Sequence, residues 1–495
     1  MNHVTLRDDI HRVATRFADM TLLILGVVAL GVFAYFFYQY TVTAQRHFSS
    51  SVYVVLYYVC PLGAAICAVL ASKLKPDTRV NLSLSVATTV VLLYGAEAFA
   101  EQHWVGPESL MLRVQRSSGT DRQAQAKALE KAWGVPIDPR RGDEVLAALH
   151  RKGIDAVPFV SPSNNSLVMQ ADGTIEPFVK IDGHDVLPLG GISGKLTVLC
   201  NENGYWVQYL SDERGFNNPM GLWDRDQLQI VAIGDSYTQG YCVPREESFV
   251  GLIRHRYPAT LNLGMSGNSP LVELAALREF APRFRPPLVL WFYCEENDLV
   301  ELQAERQRGL LNNYMDPRFM QASLARQGEI DAAILREVPR MVDHDRAALT
   351  SGGMHSVAPF LKLAQLRKVS GLIGGIDPKD VSETEATEPQ NIEAFRQILG
   401  LANSEVHQWG GELEFVYLPS FADFGNHRSV GKNARQQVLA LVRGLGIGII
   451  DVEPTFEMSG GRSLFPFAQP GHYNATGHRV VADTVLARLP SHVLH

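Results

Sequence analysis

The sequence predicts an α/β protein built on a five-stranded parallel sheet with helices on both faces, preceded by membrane-spanning helices. Three observations predict it. From Gln227 onward, short apolar strands alternate with segments of helical periodicity. The first of those strands stops at a small Gly-Asp-Ser turn. The first hundred residues hold three long apolar runs.

Those runs come first. Thr21 to Tyr38 is apolar almost without break, Ser51 to Ser72 carries no charge, and Val80 to Ala100 carries one acid, Glu97. About 20 apolar residues span a bilayer, so residues 1–100 read as a membrane anchor of three helices. A cleavable signal peptide is not expected, because a second span follows the first at once and no small-residue cleavage site stands between. Arg7, Arg12 and Arg16 precede the first run, and Lys73, Lys75 and Arg79 lie between the second and third, against a single Arg46 between the first and second. Basic loops stay cytoplasmic, so the rest of the chain is expected on the far side. In a bacterium this means an inner-membrane protein with a periplasmic domain.

Residues 101–225 read as a separate α+β region. Asp121 to Trp133 and Asp143 to Lys152 have helical spacing, and strands are expected at Ala156–Val160 and Lys195–Leu199. No catalytic motif is evident in it. Gly190-Gly191-Ile192-Ser193-Gly194-Lys195 has the wrong glycine spacing for a phosphate loop, and Leu196 follows the lysine where Ser or Thr is needed, so it reads as a turn.

Residues 226–495 carry the sheet. Strands are expected at Gln229–Ile233, Thr260–Leu263, Leu288–Tyr293, Glu412–Leu418 and Gly448–Val452. Helices are expected at Glu246–Arg256, Leu271–Phe284, Ile392–Trp409, Lys432–Leu445 and Ala475–Leu489. A charged, helical insertion at about 300–389 interrupts the order. It reads either as a lid or acceptor-binding element over the sheet edge, or as an appendage packed on the membrane-proximal region. The run Ser382-Glu383-Thr384-Glu385-Ala386-Thr387-Glu388 reads as an acidic linker.

Composition narrows the function. The chain has 495 residues, too many for one core, and 46% of them are hydrophobic. The formal net charge is −7 and no basic-aromatic stripe occurs, which argues against a nucleic-acid partner. The five cysteines form no metal signature and no cofactor is expected. Cys60 and Cys67 fall in the second apolar run. Cys200, Cys242 and Cys294 would meet an oxidising compartment and allow one bridge, with the pair left open.

Four segments carry chemistry. Gly234-Asp235-Ser236 places a hydroxyl at the carboxyl edge of a sheet, where open α/β folds bind ligands. Leu261-Asn262-Leu263-Gly264-Met265-Ser266-Gly267 and Cys294-Glu295-Glu296-Asn297-Asp298 follow the next two strands, and Gly471-His472-Tyr473-Asn474-Ala475-Thr476-Gly477-His478 precedes the last helix. A serine hydroxyl needs a base within reach, and acyl transfer needs donors for an oxyanion. Asp235 and Asp298 suit turn and cap roles, and His478 a structural one.

In this order the four blocks resemble those of the SGNH (GDSL-type) esterase and acyltransferase superfamily. The resemblance covers roughly residues 225–490 and implies a flavodoxin-like sandwich. It also implies Ser236 as nucleophile, His472 as base, and an oxyanion site formed by Ser236, Gly267 and Asn297. The chain departs from the family twice. Gln469 stands where an aspartate normally orients the histidine, which leaves a Ser-His dyad, a slow enzyme, or a carboxylate borrowed from elsewhere such as Asp451. Glu295-Glu296 replace small residues, and would make the mouth acidic.

Three functions fit these residues. The first is a membrane-anchored extracytoplasmic serine esterase acting on O-acyl esters, such as acetyl, of a polysaccharide or envelope glycan. The second is an O-acyltransferase acting on an exopolysaccharide with the same machinery. The third is a catalytically idle scaffold of the envelope polysaccharide machinery. The lipid bilayer is a partner in all three.

Overall fold

The computed structural model describes residues 3–38, 58–103, 110–117, 119–161, 167–169, 175–177, 179–295, 297–306, 309–350, 389–424 and 431–489. The chain divides into two compact units, the first holding the described N-terminal helices and the second the described residues from 110 onward.

The first unit contains α1 (His3–Phe37), α2 (Cys60–Ala71) and α3 (Pro76–His103). Within it, His11–Tyr35 and Pro76–Ala98 are long and apolar enough to cross a membrane, and Cys60–Ala71 is a shorter apolar helix. The beginning of the second apolar run lies outside the described residues. Val13, Leu23, Val27, Val91 and Leu92 point outward at 62–70% exposure, so the helices present an apolar exterior. Small residues close the helix contact: a Cβ on Gly26 would lie 3.6 Å from that of Ala68.

The second unit opens with α4 (Leu110–Arg116), α5 (Gly119–Trp133) and α6 (Gly142–Arg151). A three-stranded sheet follows, made of β1 (Ala156–Pro158), β2 (Leu196–Cys200) and β3 (Val207–Leu210). β2 is central, parallel to β1 and antiparallel to β3. Cys200 at the end of β2 is bridged to Cys242, with Cα atoms 5.3 Å apart, and Cys294 is buried and takes no part in the bridge.

The main sheet contains β4 (Ile230–Ile233), β5 (Thr260–Asn262), β6 (Leu288–Cys294), β7 (Glu412–Leu418) and β8 (Gly448–Asp451). Its order is β8-β7-β6-β4-β5, with every pair parallel. That is the flavodoxin-like order, reversing direction next to β4. All residues of β6 are buried, as a central strand covered on both faces requires. Val231 and Ile233 point into a core shared with α9 (Pro270–Phe280), α12 (Pro389–Gln408) and α13 (Gly431–Gly444). Ile230 and Ala232 point to the other face, against α8 (Phe249–Arg256) and α14 (Ala475–Leu486). α8 starts later than the sequence suggests. Ser248 caps it by accepting from the Gly251 amide, and residues 245–247 form a separate tight turn.

After β6 come α10 (Asp298–Glu305) and, within the insertion, α11 (Gln327–Thr350). Ile330, Ala333, Ile334 and Met341 of α11 share a small core with Val157, Val160, Val179 and Ile181. Asp331 also accepts from the Ser193 amide at 3.1 Å. Helix α11 thus packs on the region preceding the sheet, whereas Leu311 and Tyr314, earlier in the insertion, join the core of the main sheet. The remainder of the insertion, including the acidic run at 382–388, lies outside the described residues.

Candidate active site

Every block that carries chemistry sits at the carboxyl edge of the main sheet. β4 runs into Gly234-Asp235-Ser236, and Ser236 opens the one-turn helix α7 (Ser236–Gln239). Asp235 caps that turn, its Oδ1 accepting from the Tyr237 amide at 2.9 Å. Close approach is built in: a Cβ on Gly264, after β5, would fall 2.6 Å from that of Thr238. Gly267 has φ 88°, a left-handed conformation that favours glycine.

Ser236 and His472 are brought together across the β8–α14 connection. The Ser236 Oγ lies 2.8 Å from His472 Nε2. The other ring nitrogen, Nδ1, is 3.0 Å from Glu202 Oε1 and 3.1 Å from Oε2. The His472 backbone amide donates to Glu202 Oε2 at 2.8 Å. With Nδ1–H given to Glu202, Nε2 is left to accept the serine proton. Burial pushes the Glu202 carboxyl up, but the His472 charge and two hydrogen bonds from His472 outweigh it and hold it below its ordinary range. The three side chains form a Ser-His-Glu triad, with His472 22% and Glu202 15% exposed at the side chain.

Glu202 is the residue that sequence reasoning missed. It lies two positions beyond Cys200, in the region without a motif. Asp451, suggested as a substitute for the missing aspartate, is instead paired with Arg435. The bridge from Cys200 to Cys242 ties the Glu202 loop to the turn after the nucleophile, and Asn203 Nδ2 adds a hydrogen bond to the Cys242 carbonyl at 2.9 Å. Gly471 lets the carboxylate reach the His472 backbone, since a Cβ there would stand 3.0 Å from Glu202 Oε2. Tyr237 and Tyr241 flank the imidazole, with ring centroids 4.9 and 4.5 Å away.

Asn297 is also brought to the nucleophile. Its Nδ2 donates to Asp235 Oδ2 at 3.2 Å, and Ser236 Oγ lies 3.4 Å from that same oxygen. Asp298 Oδ2 accepts from the Cys294 amide at 2.8 Å and closes the turn after β6. Glu295 does not make the mouth acidic as its sequence suggests. Burial, and then the Asp423 carboxylate, push it up to about 9, so it stays neutral near pH 7. Glu296 lies outside the described residues. His478 is buried and its Nδ1 faces the Phe249 amide at 3.3 Å; burial, and then the His472 charge, lower it to about 3.

The sequence matches no family model and no curated relative. The structure is similar to a member of the lipolytic protein G-D-S-L family from Veillonella parvula, at 14% identity and TM-score 0.29, over 53% of this chain and 98% of that one. It is also similar to an acetyl xylan esterase, at 11% identity and TM-score 0.29, over 53% of this chain and 99% of that one. A third likeness is to a mutant acetyl-xylooligosaccharide esterase from Geobacillus, at 13% identity and TM-score 0.29, over 54% of this chain and 95% of that one.

Proposed function

We propose that this chain, an SGNH-type sandwich with a Ser-His-Glu triad, is a membrane-anchored serine esterase that cleaves O-acyl esters of a glycan outside the cytoplasm. One observation carries the reading: Ser236 Oγ lies 2.8 Å from a histidine whose other nitrogen is held by a carboxylate. That arrangement serves nucleophilic acyl transfer.

In the reaction, Ser236 Oγ attacks the ester carbonyl carbon while His472 Nε2 takes its proton. The backbone amides of Ser236 and Gly267 and the Asn297 side-chain amide are assigned to the oxyanion. Collapse of the tetrahedral intermediate breaks the carbonyl–alkoxy bond, and His472 returns the proton to the departing sugar oxygen. Water, deprotonated by His472, then attacks the acyl-Ser236 ester; collapse breaks the acyl–Oγ bond, His472 returns the proton to Ser236 Oγ, and the carboxylic acid leaves. Through both steps Glu202 fixes the imidazole tautomer and offsets the imidazolium charge. If a sugar hydroxyl replaces water, the same residues perform O-acyl transfer.

A serine-directed fluorophosphonate tests the nucleophile. It should label Ser236, and Ser236→Ala should abolish labelling. Labelling that survives this change removes Ser236 from the role, and a folded wild type that resists the probe favours the idle scaffold. Location is tested separately. Alkaline phosphatase fused after residue 225 should be active, and an inactive fusion would place the site in the cytoplasm.

A further inference from the structure

A cleft of about 340 Å³ lies beside the triad, inside the second unit. Its volume falls within the range of small-molecule sites, about 300–1,000 Å³. Phe159, Trp206 and Tyr241 line it together with Gln115, Asp345 and Arg346. Tyr241 is a wall of both the cleft and the triad site. Tyr241 has its ring 4.5 Å from that of His472. Ser266, which also lines the cleft, immediately precedes Gly267. Ser266 is held firmly, its amide donating to Gln239 Oε1 at 2.9 Å and its carbonyl accepting from Ser161 Oγ at 2.7 Å.

The lining selects a chemistry. The Trp206 indole N–H is already given to the Arg140 carbonyl at 2.9 Å, so the residue offers the cleft its apolar ring. The ring is braced by Gly142, where a Cβ would stand 3.0 Å from it. Arg346 is paired with Asp143 at 2.8 Å, which compensates its charge and leaves a planar donor group. The Tyr241 phenol stays protonated because burial, then the charges of Glu202 and Asp345, raise it. A long acyl chain would strip water from the polar groups of Gln115, Asp345 and Arg346 without replacing its hydrogen bonds. An anionic ligand would meet the Asp345 carboxylate, while the Arg346 charge is already offset by Asp143. A neutral sugar ring fits both halves of the lining. Its C–H face covers an aromatic ring, and its paired hydroxyls meet planar carboxylate, guanidinium and amide groups.

We propose that this cleft, walled by the region preceding the sheet and by α11, binds a neutral sugar ring of the glycan whose ester faces Ser236. The proposal rests on the esterase reading for the meaning of that ester, but sugar binding itself does not require turnover. It gives the inserted elements a role beyond holding Glu202: they would select the polysaccharide, while the sheet edge supplies the chemistry.

The test uses the full chain in detergent with Ser236→Ala, so that nothing is hydrolysed. Calorimetric titration with xylohexaose, mannohexaose and cellohexaose should show binding of at least one. In that background Trp206→Ala and Asp345→Asn should each weaken it by about tenfold or more. Asp345 is exposed, so its variant should keep the fold, which circular dichroism checks. Binding of none of the three overturns the proposal. So does unchanged affinity in both variants, or a preference for a hexagalacturonide or for octanoate. Fluorophosphonate labelling of the wild type separates the two readings. A labelled serine without sugar binding sinks the cleft alone, and sugar binding without a labelled serine sinks the esterase alone.

Discussion

Glu202 grips His472 at two points, accepting from ring Nδ1 at 3.0 Å and from the backbone amide at 2.8 Å, across 270 residues of sequence. The grip fixes both the position of the loop and the orientation of the ring. Gln469, where the resemblance read from the sequence expects an aspartate, is thereby relieved of the role.

The first prediction concerns that carboxylate. Glu202→Gln keeps the shape but removes the charge that offsets the imidazolium. Esterase kcat on p-nitrophenyl acetate should fall by about 10²–10⁴, the larger figure being the cost of the equivalent change in a serine protease. KM should move little, because the interaction is strongest when the ring is charged. Gln469→Asp in the wild type should bring no gain. A kcat unchanged in folded Glu202→Gln would show that the carboxylate only packs.

The second prediction concerns the bridge that carries Glu202. Cys200 and Cys242 are 42 residues apart, a loop whose closure stabilises a fold by about 4 kcal/mol in the chain-entropy description. Replacing both by serine should lower the midpoint of thermal unfolding. It should also lower kcat at temperatures where the protein is still folded, because the Glu202 loop is no longer tied to the turn after Ser236. Loss of stability with full kcat would mean that the Asn203 hydrogen bond to Cys242 is enough to hold the loop.

Much of this architecture is legible in the sequence. Strand β7 and the start of α14 fall at the expected residues, because an apolar run bounded by turn residues marks its own limits. Ser236, Gly267, Asn297 and His472 stand in recognisable blocks on one sheet edge. Glu202 does not, since nothing local distinguishes it from any other loop acid. The signal that points to it is indirect: a bridge from Cys200 to Cys242 would bring residue 202 beside the nucleophile turn. With three cysteines the pairing cannot be chosen from sequence. The partner of α11 is hidden for a similar reason. Its apolar stripe says that a face is buried, not that Val157 and Ile181 bury it.

The third prediction concerns the oxyanion. Asn297 is poised next to Ser236 by the shared Asp235 oxygen. Asn297→Ala should lower kcat by about 10²–10³ if its amide serves the transition state. Asn297→Asp should do worse, because a carboxylate beside Asp235 repels both its neighbour and the oxyanion. A folded Asn297→Ala with undiminished turnover would assign the hole to the backbone amides alone.

The fourth prediction uses Glu295 and the sign of its titration. Its ordinary value is 4.5, and burial beside Asp423 and Glu453 raises it to about 9 in the folded chain. Between those values the folded protein holds a proton that the unfolded chain gives up. Stability from this group therefore declines as pH rises through that window, and is flat below 4.5 and above 9. Gln at this position is neutral at every pH. The advantage of Glu295→Gln over wild type in thermal midpoint should thus be larger at about pH 8 than at about pH 5, and taking the difference between the two proteins removes the titration of groups they share. An equal difference at both pH values would show that Glu295 is ionised in the fold, and would restore the acidic mouth that the sequence suggests.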